Sequence, residues 1–173
     1  MTGTEGSGGG EPARAPGGSG APTGGPLLLD EEEAELVTVE AEAAARVLPE
    51  PRRSEAARIA EAARRGEVPA ALGAALGELL EASLAGGRAR RLHLAEGERV
   101  LTGVLRRTPV GRALAERLEE LNEALGALVG RRLEAVAAGM RTAGHYTLTI
   151  RCDGVGVTLA VGPRGVELEH LSA

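Results

Sequence analysis

Lysine, phenylalanine, tryptophan and glutamine are missing from this 173-residue chain, and tyrosine and asparagine occur once each. Each absence closes off a class of chemistry. A P-loop needs a lysine to reach its phosphates, and Schiff-base catalysis and pyridoxal phosphate need a lysine amine, so these are excluded. A lone tyrosine, Tyr146, gives no stacking platform for single-stranded nucleic acid and few aromatic anchors for a tight interface. A single cysteine, Cys152, rules out an internal disulfide. No apolar run approaches the ~18 residues of a membrane span, and the first residues lack the charged and apolar segments of a secretion signal. A cytoplasmic location is the expectation.

What is present divides unevenly. Residues 1–26 are mostly Gly, Pro, Ser, Thr and Ala. Such a segment cannot bury enough apolar surface to offset the entropy of ordering it, and is expected to remain a disordered tail. Residues 27–173 are expected to form a single domain. Net charge is −5, but the two halves differ in sign: residues 1–87 carry −8 and residues 88–173 carry +3. The acidic excess centres on Asp30, Glu31, Glu32, Glu33 and Glu35. That run suits the positive end of a helix, and it could also fold back on the basic half.

Helices dominate the first two-thirds. Asp30 can cap a helix running to Leu48, which Pro49 and Pro51 then stop. Ser54 to Arg65 fits a second, with Ser54 as its cap and Gly66 as its terminator. Pro69 to Ala85 fits a third, on which Leu72, Leu76, Leu79, Leu80 and Leu84 share one face. Residues 88–107 read two ways, as a hairpin turning at Glu96-Gly97 or as a helix from Glu96 with Arg106 and Arg107 at its negative end. Thr108-Pro109 opens a helix expected to reach Leu128, with Leu114, Leu118, Leu121, Leu125 and Leu128 in register. That stripe serves as a core face, and its spacing also fits a short coiled-coil seam.

The C-terminal stretch alternates. From His145 to Cys152, Tyr146, Leu148, Ile150 and Cys152 fall on one side, and His145, Thr147, Thr149 and Arg151 on the other. Asp153-Gly154 follows, a strong signal for a two-residue hairpin. That turn pairs Cys152 with Val155, Ile150 with Val157, Leu148 with Leu159 and Tyr146 with Val161. The turn Gly162 to Gly165 then pairs Val161 with Val166 and Leu159 with Leu168. Turn chemistry and hydrophobic parity are independent signals, and they agree. A segment near 132–140 reads either as a fourth strand or as a helix through Leu133, Val136 and Met140. The fold class is α+β, with several N-terminal helices packed on one face of an antiparallel meander of three or four strands.

Few residues invite chemistry. The glycines near Gly154 and Gly162 sit in hairpins, not between a strand and a helix, so they form no dinucleotide fingerprint. His145 and Cys152 point to opposite faces of their strand, and Cys152 and His170 lie on strands that are not neighbours, about 10 Å apart. Cys152 reads as a small buried hydrophobe. Glu116 with Glu120, and Glu119 with Glu123, read as a solvated helix face. The arginine doublets at 52–53, 64–65, 90–91, 106–107 and 131–132 sit near element ends, where they complement helix dipoles. No cofactor, metal or catalytic residue is expected.

By exclusion, the sequence reads as a non-catalytic protein–protein interaction module, an adaptor or regulator acting on a protein partner or as a homodimer. A nucleic-acid-binding regulator using the Arg-rich C-terminal half is the alternative, and an enzyme of unrecognised type the third reading. The candidate interaction face is the polar side of the meander, Thr147, Thr149, Arg151, Thr158 and Ala160, which is flat and built of short side chains apart from Arg151.

Overall fold

The structure is a computed structural model and describes residues 25–163 and 165–172. The expected disordered tail at 1–26 lies outside the described residues but for its last two. Five helices and a two-stranded ribbon precede a four-stranded antiparallel meander, so the fold is α+β.

Strand β1 (Leu27–Leu28) leads into helix α1 (Glu31–Val47). Asp30 accepts from the Glu33 backbone N–H, and the Glu33 carboxylate accepts in return from the Asp30 N–H. This reciprocal box satisfies two orphan donors and overrides the weak helix propensity of Val37-Thr38-Val39. The acidic run also folds back, because Glu33 forms an ion pair with Arg107. Helix α2 spans Arg52–Arg64 and starts two residues before the expected Ser54. Ser54 is not its cap. Its N–H and hydroxyl instead donate to the Glu50 carboxylate in the preceding turn, while Pro51, with its fixed φ, occupies the cap position. Gly66, at φ +73°, ends the helix as expected, and strand β2 (Glu67–Val68) pairs with β1.

A 3₁₀ turn over Ala70–Leu72 feeds α3 (Gly73–Ala85). Leu72, Leu76 and Leu80 are buried, and Leu79 and Leu84 pack at the margin of the same cluster. The ambiguous segment is α4 (Arg88–Arg107), helical on both sides of a break at Leu94. The hairpin reading is therefore overturned, and the helix begins earlier than Glu96. The α4–α5 corner is tight. Thr108 donates to the Leu105 carbonyl and accepts from the Gly111 N–H, capping α5 (Pro109–Gly126). A Cβ on Gly111 would stand 2.0 Å from that same carbonyl, so only glycine fits there. Helix α5 ends two residues short of Leu128.

The meander comprises β3 (Leu133–Thr142), β4 (His145–Cys152), β5 (Val155–Gly162) and β6 (Gly165–Ser172), in that spatial order. The segment near 132–140 is thus a strand, longer by two residues than expected. All four β4–β5 pairs read from the turn are observed, as are Val161 with Val166 and Leu159 with Leu168.

Two hydrophobic clusters result. One joins α1 to α4 through Val37, Ile59, Val68, Leu76, Leu80, Leu101 and Val104. The other joins the end of α5 to the sheet through Leu121, Val157 and Leu159. Helix α5 serves both, with Leu114 against the first and Leu125, joined by Leu128 just past the helix end, against the second.

Candidate functional site

The polar side of the meander is assembled as the sequence implies. Thr149 faces Thr158, Thr147 faces Ala160 and Arg151 faces Gly156. Strand β3 adds Ala135, Ala137 and Gly139 to this side, opposite Arg151, Thr149 and Thr147. The surface is close-set: a Cβ on Gly139 would meet the Thr147 hydroxyl at 2.9 Å, and one on Gly156 the Ser172 hydroxyl at 2.8 Å. It is not fully open. Arg141 of β3 pairs with Glu169 of β6, and these are the two edge strands of the sheet. By alternation from Gly139, Arg141 lies on the small-residue side, so this ion pair spans the face.

The opposite side is apolar across all four strands. Leu133, Val136, Ala138 and Met140 of β3 stand directly opposite Cys152, Ile150, Leu148 and Tyr146 of β4, and opposed residues share a face. Hydrophobic parity alone assigns this whole face to helix packing. Among the described residues α5 is the helix that packs on it, against Val157 and Leu159 of β5 and alongside β6. A helix is about 10 Å across with its side chains, whereas four strands at ~4.8 Å spacing are wider than that. Val157 and Leu159 are consequently buried, while Met140 is 69% exposed, Leu133 59%, Val136 57% and Tyr146 46%. These four side chains form the largest feature the sequence reading missed. Alternation marks a face as apolar; whether anything covers it depends on how many helices reach the sheet.

A second unforeseen feature lies inside the helical cluster. Glu40 of α1 has a side chain 1% exposed. Its carboxylate accepts from Ser83 Oγ of α3 at 2.7 Å, from Arg88 Nε at 2.9 Å, and bonds His93 Nε2 at 2.9 Å, the last two from the first turns of α4. Burial works to raise the Glu40 pKa, but the hydrogen bonds from Ser83, His93 and Arg88 outweigh it and hold the carboxyl below its ordinary range. A visible signal was the position of Glu40 beside Val37 and Ala41 on the buried stripe of α1.

This constellation has the residue types of a hydrolase triad but not the wiring. There a histidine lies between the serine and the acid; here the acid lies between the serine and the histidine. No cavity opens at Glu40 among the described pockets. The cluster is a clamp that ties three helices. It also holds the segment before Leu94, whose φ of +60° and ψ of −167° is sparsely populated for a residue with a Cβ. Leu94 is 72% exposed, so its side chain contributes little packing. Leu94→Gly is expected to raise stability by up to about 1 kcal/mol, the strain relieved less the added backbone entropy of glycine. Urea unfolding midpoints check this, and a lower midpoint in the variant would show that Leu94 is not strained.

The remaining sequence expectations find their places. Cys152 is buried and free, His145 bonds Thr142, and His170 sits opposite Thr158 on β6. His93, held at Glu40, is not beside either. Several arginines of the doublets face acids or carbonyls: Arg52 pairs with Glu78, Arg64 and Arg65 with Glu61, Arg90 with Glu98 and Arg107 with Glu33, and Arg131 donates to the Ala127 carbonyl. Among the described residues no group of His, Cys, Asp and Glu is placed to hold a metal, and no helix is long and apolar enough to cross a membrane. Comparison of the chain with protein-family models, with curated proteins and with solved structures finds no match.

Proposed function

We propose that the chain is a non-catalytic protein–protein interaction module whose binding surface is the uncovered apolar half of the meander. The observation that carries this is the contiguous exposure of Leu133, Val136, Met140 and Tyr146 on one side of two paired strands. Isolated apolar side chains at a surface need no explanation, but a contiguous strip of large ones marks a contact site. The small-residue side, with its spanning ion pair, offers less apolar area. In the basic half Arg88, Arg90, Arg99, Arg107, Arg117 and Arg141 are paired with acids, which reduces the free positive charge that the nucleic-acid alternative needs gathered on one surface.

The test is co-purification from native lysate, with and without nuclease, comparing four variants. Val136→Glu and Met140→Glu alter the apolar side; Thr149→Arg and Thr158→Arg alter the other. The expected result is nuclease-resistant protein capture, reduced tenfold or more by the first pair and unchanged by the second, with all four folded by circular dichroism. Capture lost only from the threonine variants would move the site to the small-residue side. Capture lost with nuclease would replace the reading with nucleic-acid binding.

A further inference from the structure

The two edges of the meander differ in kind. An exposed edge strand is a template for another strand, and proteins blunt such edges with charges, bulges or covering elements. Strand β6 has the first two. It carries Glu167 and Glu169, both in ion pairs, its register shifts opposite Thr158 and Leu159, and Leu168 and Leu171 line a groove with α5. Strand β3 is ten residues long and holds no proline; its register shifts fall at Leu133/Ala135 and Met140/Thr142, and the run between them, Ala135 to Met140, is regular and carries no charge. Its outer backbone edge has no strand partner among the described residues.

We infer that the open β3 edge is completed by a second copy of the chain, joined antiparallel about a twofold axis at Ala138, so that two four-stranded sheets become one of eight and the two uncovered apolar halves become one continuous binding surface. This deepens the interaction reading above and rests on it. The register follows from the sequence of β3. A twofold axis perpendicular to the sheet keeps each face on its own side, which allows only registers pairing residues of like parity. Centring on Ala138 sets Val136 against Met140 of the other copy on the apolar side, and Ala137 against Gly139 on the small side. It also sets Glu134 against Thr142 and Ala135 against Arg141, so that the acidic end of each strand lies beside the basic end of the other. Centring on Ala137 instead sets Glu134 against Met140 and Leu133 against Arg141, charge against apolar group. A parallel arrangement would bring like charges together. Small residues at the axis let the backbones approach without displacing long side chains.

Two substitutions at the axis test this on the full-length chain. Ala138→Lys places two ammonium groups opposite each other at an exposed position, where like charges oppose pairing and the fold itself is little affected. Light scattering is expected to give the mass of two chains for the wild type and of one chain for the variant, with superimposable circular dichroism spectra. Ala138→Cys sets two thiols on a rung whose Cα atoms lie about 4.5–5.5 Å apart, within disulfide reach. Mild oxidation should convert it to a linked dimer. Met140→Cys, whose copies would stand about 14 Å apart in this register, should not link. A one-chain mass for the wild type at every concentration overturns the inference, as does a two-chain mass that survives Ala138→Lys. If the wild type is a single chain and yet loses a foreign partner on Val136→Glu, self-pairing falls while the interaction reading stands. If the apolar-side variants change neither mass nor capture, both fall.

Discussion

Glu40→Ala is expected to destabilise the protein by about 3 kcal/mol, the lower end of the cost of removing one partner from a buried ion pair. The lower end applies because Arg88 is 41% exposed and can turn to water, whereas Ser83 and the Glu40 site itself cannot. The variant loses the acceptor that three side chains share and leaves a void between α1, α3 and α4. In a chain of this size the melting temperature should fall by on the order of 10 °C. Glu40→Gln separates charge from shape. It keeps the volume and one carbonyl oxygen, so it should cost less than alanine. It also removes a proton-binding site whose folded-state pKa lies below its unfolded value. Such a group contributes stability that is full above the ordinary carboxylate range and is lost as the pH falls through that range to the folded-state value. The wild type should therefore lose its advantage over Glu40→Gln on acidification, and urea midpoints of the two proteins should converge towards low pH. Parallel curves across the acid range would show that Glu40 is already protonated at neutral pH or is not bonded as described.

The contrast between Glu40 and the meander shows what a sequence makes legible. The β4–β5 register could be read because two local signals coincide: a dipeptide that demands a hairpin, and an alternation that assigns each residue to a face. The caps of α1 and α5 are local as well, written in Asp30 with Glu33 and in Thr108 with Pro109. The path of residues 88–107 was ambiguous because its decisive contacts are distant. Arg88 and His93 are held by a carboxylate roughly fifty positions earlier, and nothing in the local pattern of apolar residues reports that. The polar face of the meander was placed correctly residue by residue, since parity alone decides it. The bareness of the opposite face was not visible. It follows from α1 to α4 burying their leucines, valines and alanines against one another, which leaves α5 as the helix that lies on the sheet.

Val157→Asp is expected to be the most damaging single change in the C-terminal half. Val157 is fully buried in a cluster with Leu121, Leu159, Leu125, Leu128 and Leu148, none of which offers a hydrogen bond or a counter-charge. An unpaired carboxylate there costs about 4 kcal/mol or more, or takes up a proton and still loses the packing. The sheet rests on this small cluster, so the penalty should exceed what the cluster supplies. Thr158→Asp, one residue on and on the opposite face, should cost about 1 kcal/mol or less. Because the helical cluster around Leu76, Leu80 and Leu101 shares no buried residue with the sheet cluster, the damage should also be local. Amide hydrogen exchange in Val157→Asp should show protection lost across β3 to β6 and in the last turns of α5, beyond Leu121, and retained in α1 to α4. Equal loss in both halves would mean that α5, through Leu114 at one end and Leu125 at the other, couples the two cores into one cooperative unit. Equal damage from Thr158→Asp would mean that the small-residue face is covered too. Retained protection in the strands would show that the sheet is held by something other than this cluster, and the packing of α5 against Val157 and Leu159 would have to be abandoned.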